Sequence, residues 1–293
     1  MTPAVAGHPD LLFIGLGLAA AAFWGASDFL GGLAARKGHV VLVVAIAHSL
    51  SLALLLPIAF FSHAPLPGHA FVLLGLGAGT CGGMALILYY QALALGEMGL
   101  TTALTGLLTA LIPVAFSFFT LGAPKSSQIA GFVLAAAAIA LIAYAPSGKT
   151  RPLALGLATM AGICFGVFLV VLQIGSLHGI VWQLIYSRMA SASLAIALVV
   201  WMSLRKKDFS VRRESQNPKF VWIAGSAGIL EATGSLLYMR AARTGRLDVA
   251  AVLASLYPAV TIVMAAWILK EKTTLSQAFG MGLALLAVVL VSL

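Results

Sequence analysis

Long apolar runs separated by short polar breaks set the pattern of this chain. Ten such runs stand out, at 11–34, 40–61, 70–92, 100–121, 127–145, 153–174, 180–204, 219–242, 248–270 and 276–292. Each is close to the ~20 residues that a helix needs to cross a hydrocarbon core of ~30 Å. The breaks hold turn-forming residues, as in SHAPLPGH (62–69), APKSS (123–127) and APSGKTRP (145–152). The longest, RKKDFSVRRESQNP (205–218), is a basic loop. In lipid a span must satisfy its own backbone hydrogen bonds, so all ten runs are predicted to be helices.

Composition agrees with this pattern. The chain has 293 residues, 61% hydrophobic and 9% charged, with mean hydropathy +1.07. A soluble domain is about half apolar and about a quarter charged. Ten spans take up roughly 200 residues and leave about 90 for loops and ends, too few for a separate soluble domain. The expected class is an all-α integral membrane protein, multi-pass in a cell (plasma or inner) membrane. The net charge of +9 does not point to nucleic acid, because the Lys and Arg residues other than Arg188 sit in loops or at segment ends, where they meet anionic headgroups. Cys81 and Cys164 lie in apolar stretches with no metal-ligand spacing. No cofactor, metal site or catalytic residue is expected.

An internal repeat organises the chain. Adding 149 to a position in segments 3–5 lands on segments 8–10: Tyr89 on Tyr238, Ala92 on Ala241, Gly96 on Gly245, Ser127-Gln128 on Ser276-Gln277 and Gly131 on Gly280. Earlier the offset is 141, pairing Gly15 with Gly156 and Gly25 with Gly166. The predicted organisation is two five-helix repeats, 1–148 and 149–293. Five is odd, so the repeats enter the membrane in opposite directions. Inverted repeats of this kind are a signature of secondary transporters, with the substrate site near the midplane.

The run AAFWGASDF (21–29) resembles the opening helix of the EamA-like family in the drug/metabolite transporter superfamily. Tyr238-x-x-Ala241, VLASLYPAVT (252–261), LKEK (269–272) and SQAFG (276–280) are similar to that family's second repeat. There are departures: Gly122 stands where the family usually carries an acid, and Thr109 stands where the second repeat has Pro258. The resemblance implies a ten-helix carrier of small organic metabolites or drugs, an exporter by family habit.

Three charged side chains and one histidine lie deep in the apolar runs: Asp28, Arg188, Glu231 and His48. A charge at a helix centre costs roughly 2.5–3.5 kcal/mol on insertion scales, so each needs a reason. If segment 1 starts on side A and ends on side B, rise per residue puts Arg188 about 12 Å in from side A and Glu231 about 18 Å in from side B. Across ~30 Å those depths coincide, and an approach between the two is expected. Asp28 and His48 share a second level, about 9–12 Å below side B. Each pair is either a structural tie between helices or part of a substrate or proton pathway. Trp24 lies one turn before Asp28 on the same face. Burial and a neighbouring charge act on a carboxylate's proton affinity in opposite senses, so Asp28 is a candidate for proton coupling.

A second tier comprises Tyr89, Gln91, Tyr238 and Tyr257, which can stack on and hydrogen-bond an organic solute. Tyr90 reads instead as a membrane-interface anchor. Pro258 is expected to interrupt segment 9. Gly75-x-x-x-Gly79-x-x-x-Gly83 is a small-residue stripe for close helix packing.

The leading function is a secondary transporter, with protons and membrane lipids as further partners. One rival is an intramembrane enzyme, since Gly25-Ala26-Ser27 faintly resembles a hydrolase serine context and His48 is available as a base. A lipid-linked sugar flippase is another. No His-Glu-x-x-His and no complete Gly-x-Ser-x-Gly is present, and no P-loop for ATP. Lys and Arg number 12 in the side-B loops and 4 on side A. The positive-inside rule then puts side B in the cytoplasm and both termini outside, whereas family habit puts both termini inside.

Overall fold

A computed structural model describes residues 11–63, 66–96, 98–143, 152–176, 179–206, 216–244, 247–254, 256–268 and 274–292. All its regular elements are α-helices: α1 (Leu11–Ala35), α2 (Val40–Phe61), α3 (His69–Leu95), α4 (Met98–Leu121), α5 (Ser126–Ala143), α6 (Pro152–Ser176), α7 (Ile180–Lys206), α8 (Pro218–Thr244), α9 (Leu247–Ala254), α10 (Tyr257–Ile268) and α11 (Leu275–Ser292). These match the predicted segments to within a few residues, with segment 9 split into α9 and α10. Six helices, α1 to α3 and α6 to α8, are long and apolar enough to cross a membrane. The apolar stretches Leu104–Thr120, Ser126–Ala138 and Val252–Ile268 are shorter.

The sides of the body are apolar. Phe60, Phe61, Phe119, Trp222 and Trp267 are among its most exposed side chains, as expected where lipid replaces water as the solvent. Inside, small residues let backbones approach. A Cβ added at Gly79 would fall on the Ser187 carbonyl of α7, and one at Gly228 on the Ala47 carbonyl of α2. Gly75 and Gly83 meet Tyr186 and Ser191 on the same face of α7, so the glycine stripe is a packing seam.

Buried and half-buried hydroxyls tie the helices together. Ser27 donates to Ala227 O at 2.8 Å, Ser51 to Gly228 O at 2.6 Å, Thr105 to Ala158 O at 3.1 Å and Ser276 to Leu141 O at 2.8 Å. The packing has a matched plan. α1 lies along α8 and α3 along α6; α3 lies on α7 and α8 on α2; α4 lies on α6 and the α9–α10 pair on α1; α5 packs on α11. Exchanging the first five segments with the last five turns each of these contacts into another of the set, and α5 on α11 into itself.

Two breaks have local causes. Gly122 has φ +84° directly after α4, a left-handed conformation that favours glycine there. Pro258 is the second residue of α10, where its missing N–H costs no helical bond. Thr261, one turn further on, donates to Gly25 O of α1 at 3.0 Å, so the interrupted segment is pinned to α1.

Candidate functional site

Among the described residues, eight helices line a partly open cavity of about 50 Å³, room for about four water molecules. α1 contributes Trp24 and Asp28, α2 His48, α3 Gly82 and Leu86, and α4 Thr109. From the second half come Phe165, Phe168 and Leu169 of α6, Arg188 of α7, Glu231 of α8 and Tyr257 of α10. The three intramembrane charges and the histidine therefore share one space.

Arg188 and Glu231 meet as their depths predict. Arg188 Nη2 donates to Glu231 Oε1 at 2.7 Å and to Ser235 Oγ at 3.1 Å, and the Ser235 hydroxyl donates to Glu231 Oε1 at 2.9 Å. The guanidinium also sits over the Phe168 ring, 5.9 Å from its centre. Arg188 is 1% exposed and the Glu231 side chain 15%, although Glu231 Oε2 itself is buried.

Asp28 takes a hydrogen bond from the Tyr89 hydroxyl at 3.1 Å; no bond joins it to His48 among the described residues. Tyr89 is also 3.0 Å from Thr102 Oγ1. The rings behind the cavity are matched: Trp24 packs on Tyr238 with centroids 5.4 Å apart, and Phe165 on Tyr89 at 5.9 Å. Phe165 is 141 residues beyond Trp24, and Tyr238 is 149 beyond Tyr89.

Several polar atoms around the cavity make no hydrogen bond among the described residues: Trp24 Nε1, His48 Nδ1, Arg188 Nε and Glu231 Oε2. Buried polar groups are nearly always paired. This set offers two N–H donors, a carboxylate oxygen and an imidazole nitrogen, so it can hold a small polar solute or water by hydrogen bonds on several sides.

Six of the nine expected site residues line the cavity. Tyr89 and Tyr238 stand one layer behind it, and Gln91 is half-buried and not among the lining residues. Sequence reasoning missed Gly82, Leu86, Thr109, Phe165, Phe168 and Leu169. The 141-residue offset from Trp24 was a signal for Phe165. Tyr90 is a correction: it is 1% exposed, with its ring against Gly31 of α1, and is no interface anchor. Tight α1–α3 packing holds it inside. Ser27, which a hydrolase would need, is fully buried and spends its hydroxyl on Ala227 O, away from the cavity lining.

The EamA-like transporter family model matches residues 152–293. A solved crystal structure, described only as that of a protein, covers 95% of this chain and 95% of its own, with TM-score 0.70 and 17% identity. At that identity the likeness is one of fold. No curated protein matches the chain.

Proposed function

We propose that this chain, whose residues 152–293 belong to the EamA-like transporter family of the drug/metabolite transporter superfamily, is a secondary transporter that passes a small organic solute through the cavity between its halves. The observation that carries this reading is the convergence of Asp28, His48, Arg188 and Glu231, from four helices, on one small space with unpartnered donors and an unpartnered acceptor. Intramembrane ionisable groups facing a cavity mark solute or proton pathways. The orphaned atoms favour a solute that carries both an acceptor group for Trp24 and Arg188 and a donor group for Glu231.

In this reading ten membrane crossings form two inverted five-helix repeats, 1–148 and 149–293. The matched packing plan supports this, as do the mirrored contacts of Gly79 with Ser187 and Gly228 with Ala47. Midplane sites between inverted repeats suit alternating access by rocking one half against the other. The protein works in the cell membrane, side B faces the cytoplasm, and transport runs outward. Asp28 is the proton-coupling site, because it is the carboxylate of the first half in this cavity and is held by a single neutral donor.

The experiment is paired. In proteoliposomes, Asp28→Asn should still exchange solute in counterflow but lose accumulation against a pH gradient. A variant that still accumulates solute when driven by pH removes Asp28 as the coupling site.

A further inference from the structure

We propose that the Tyr89 hydroxyl is a two-position proton switch, which reads whether Asp28 on α1 carries a proton and passes that state to Thr102 on α4. This rests on the reading of Asp28 as the proton site. Tyr89 is 1% exposed and Thr102 fully buried, so neither hydroxyl exchanges partners with bulk water in this arrangement. The phenol oxygen lies 3.1 Å from Asp28 Oδ2 and 3.0 Å from Thr102 Oγ1. A phenol has one proton to donate and can also accept, so it cannot donate to both neighbours at once.

The carboxylate decides which way it points. Ionised Asp28 only accepts, so Tyr89 donates to Asp28 and accepts from the Thr102 hydroxyl. When Asp28 takes a proton on Oδ2, that proton faces the phenol oxygen. Tyr89 then accepts from Asp28 and turns its own proton to Thr102. One proton has been added, every hydroxyl keeps its own, and no heavy atom has moved. Thr102 lies four residues into α4. Protonation on α1 thus reverses the hydrogen-bond polarity at the start of a different helix.

The other titratable groups around Asp28 come from every side: Tyr90 beside Tyr89 on α3, His48 on α2, Glu231 on α8, Tyr257 on α10, whose hydroxyl also interacts with that of Tyr89, and Arg188 across the cavity. Among the described residues Tyr89 is the one hydrogen-bonded to the carboxylate.

The second half supplies an internal control. Tyr238, 149 residues on, packs its ring on Trp24 as Tyr89 packs on Phe165. Yet the Asp28 counterpart, 141 residues on, is Leu169, and the Thr102 counterpart, 149 on, is Ala251. The Tyr238 hydroxyl is buried with no partner among the described residues. Ring packing is common to both halves, whereas the bonded phenol occurs only where both the carboxylate and the threonine occur.

The test uses protons as the probe: infrared difference spectra of the full chain in phosphatidylcholine bilayers as pH is stepped. A protonated-carboxyl C=O band should appear at low pH and be lost in Asp28→Asn. A tyrosine C–O band should shift in the same pH step, be lost in Tyr89→Phe and persist in Tyr238→Phe. Thr102→Val should keep the carboxyl band and change the size of the tyrosine shift, and Thr102→Ser should restore the wild-type shift. The switch is overturned if the carboxyl band depends on Asp28 while the tyrosine band stays fixed, or shifts equally in Tyr89→Phe or Thr102→Val. A carboxyl band that survives Asp28→Asn, or none in the wild type, ends the reading of Asp28 as the proton site and the switch with it.

Discussion

Glu231→Gln and Arg188→Gln should not be equivalent, although they break the same 2.7 Å ion pair. Removing one partner of a buried pair costs about 3–5 kcal/mol, because the survivor keeps its charge in a poor solvent. After Glu231→Gln the survivor is a guanidinium 1% exposed. It cannot shed its proton and keeps only neutral partners: the carbonyl of the new Gln, Ser235 and the face of Phe168. The loss should lie near the upper end, about 5 kcal/mol. After Arg188→Gln the survivor is a carboxylate on a side chain 15% exposed, which can take up a proton. Here the loss should be nearer 3 kcal/mol. The double variant leaves no orphaned charge, so it should lose less than Glu231→Gln alone, and the cycle should show a coupling of about 3 kcal/mol or more, at the top of the range for residues in contact. The assay is reversible unfolding in mixed micelles for the four proteins. Additivity to within ~0.5 kcal/mol, or Arg188→Gln as the worse single change, would refute the reasoning.

On α3, Gly79→Ala drives a methyl into the Ser187 carbonyl and should cost about 1–3 kcal/mol or more. Gly77→Ala meets nothing within 4 Å and should be neutral or stabilising by up to ~1 kcal/mol; the same unfolding assay separates them. Ser27→Ala removes one hydrogen bond, so stability should fall by about 1 kcal/mol and solute movement should persist; a folded but inactive variant would instead favour hydrolase chemistry. In a background without Cys81 and Cys164, a membrane-impermeant maleimide applied to intact cells should label Lys125→Cys on side A and spare Lys37→Cys on side B. The reverse pattern would put both termini inside.

What the sequence revealed of the site follows from the cost of charge in lipid. Asp28, His48, Arg188 and Glu231 stand out against apolar runs, and depth counting was enough to bring Arg188 to Glu231. The aromatic and aliphatic lining did not stand out. Phe165, Phe168 and Leu169 look the same in sequence whether they face lipid or a cavity, because these helices are apolar on every side. Tyr90 misled for a related reason: a tyrosine near a helix end suits the membrane interface as well as the tight α1–α3 seam. The break in segment 9 was legible from Pro258, since proline lacks the N–H of the helical ladder and is favoured in the first turn of a new helix. Segment 4, read as one helix over 100–121, does run unbroken through Pro113, because whether a proline interrupts a helix depends on the neighbours around it.

The central claim is that a small organic solute crosses the membrane through the cavity shared by Trp24, Asp28, Arg188 and Glu231. Its most direct test is an untargeted comparison of metabolites inside and outside cells that produce the wild type, Trp24→Ala or Glu231→Gln at equal abundance in the membrane. A small set of polar organic solutes should be redistributed outward by the wild type and by neither variant. An unchanged metabolite distribution with the wild type, or the same redistribution with both variants, would contradict the account.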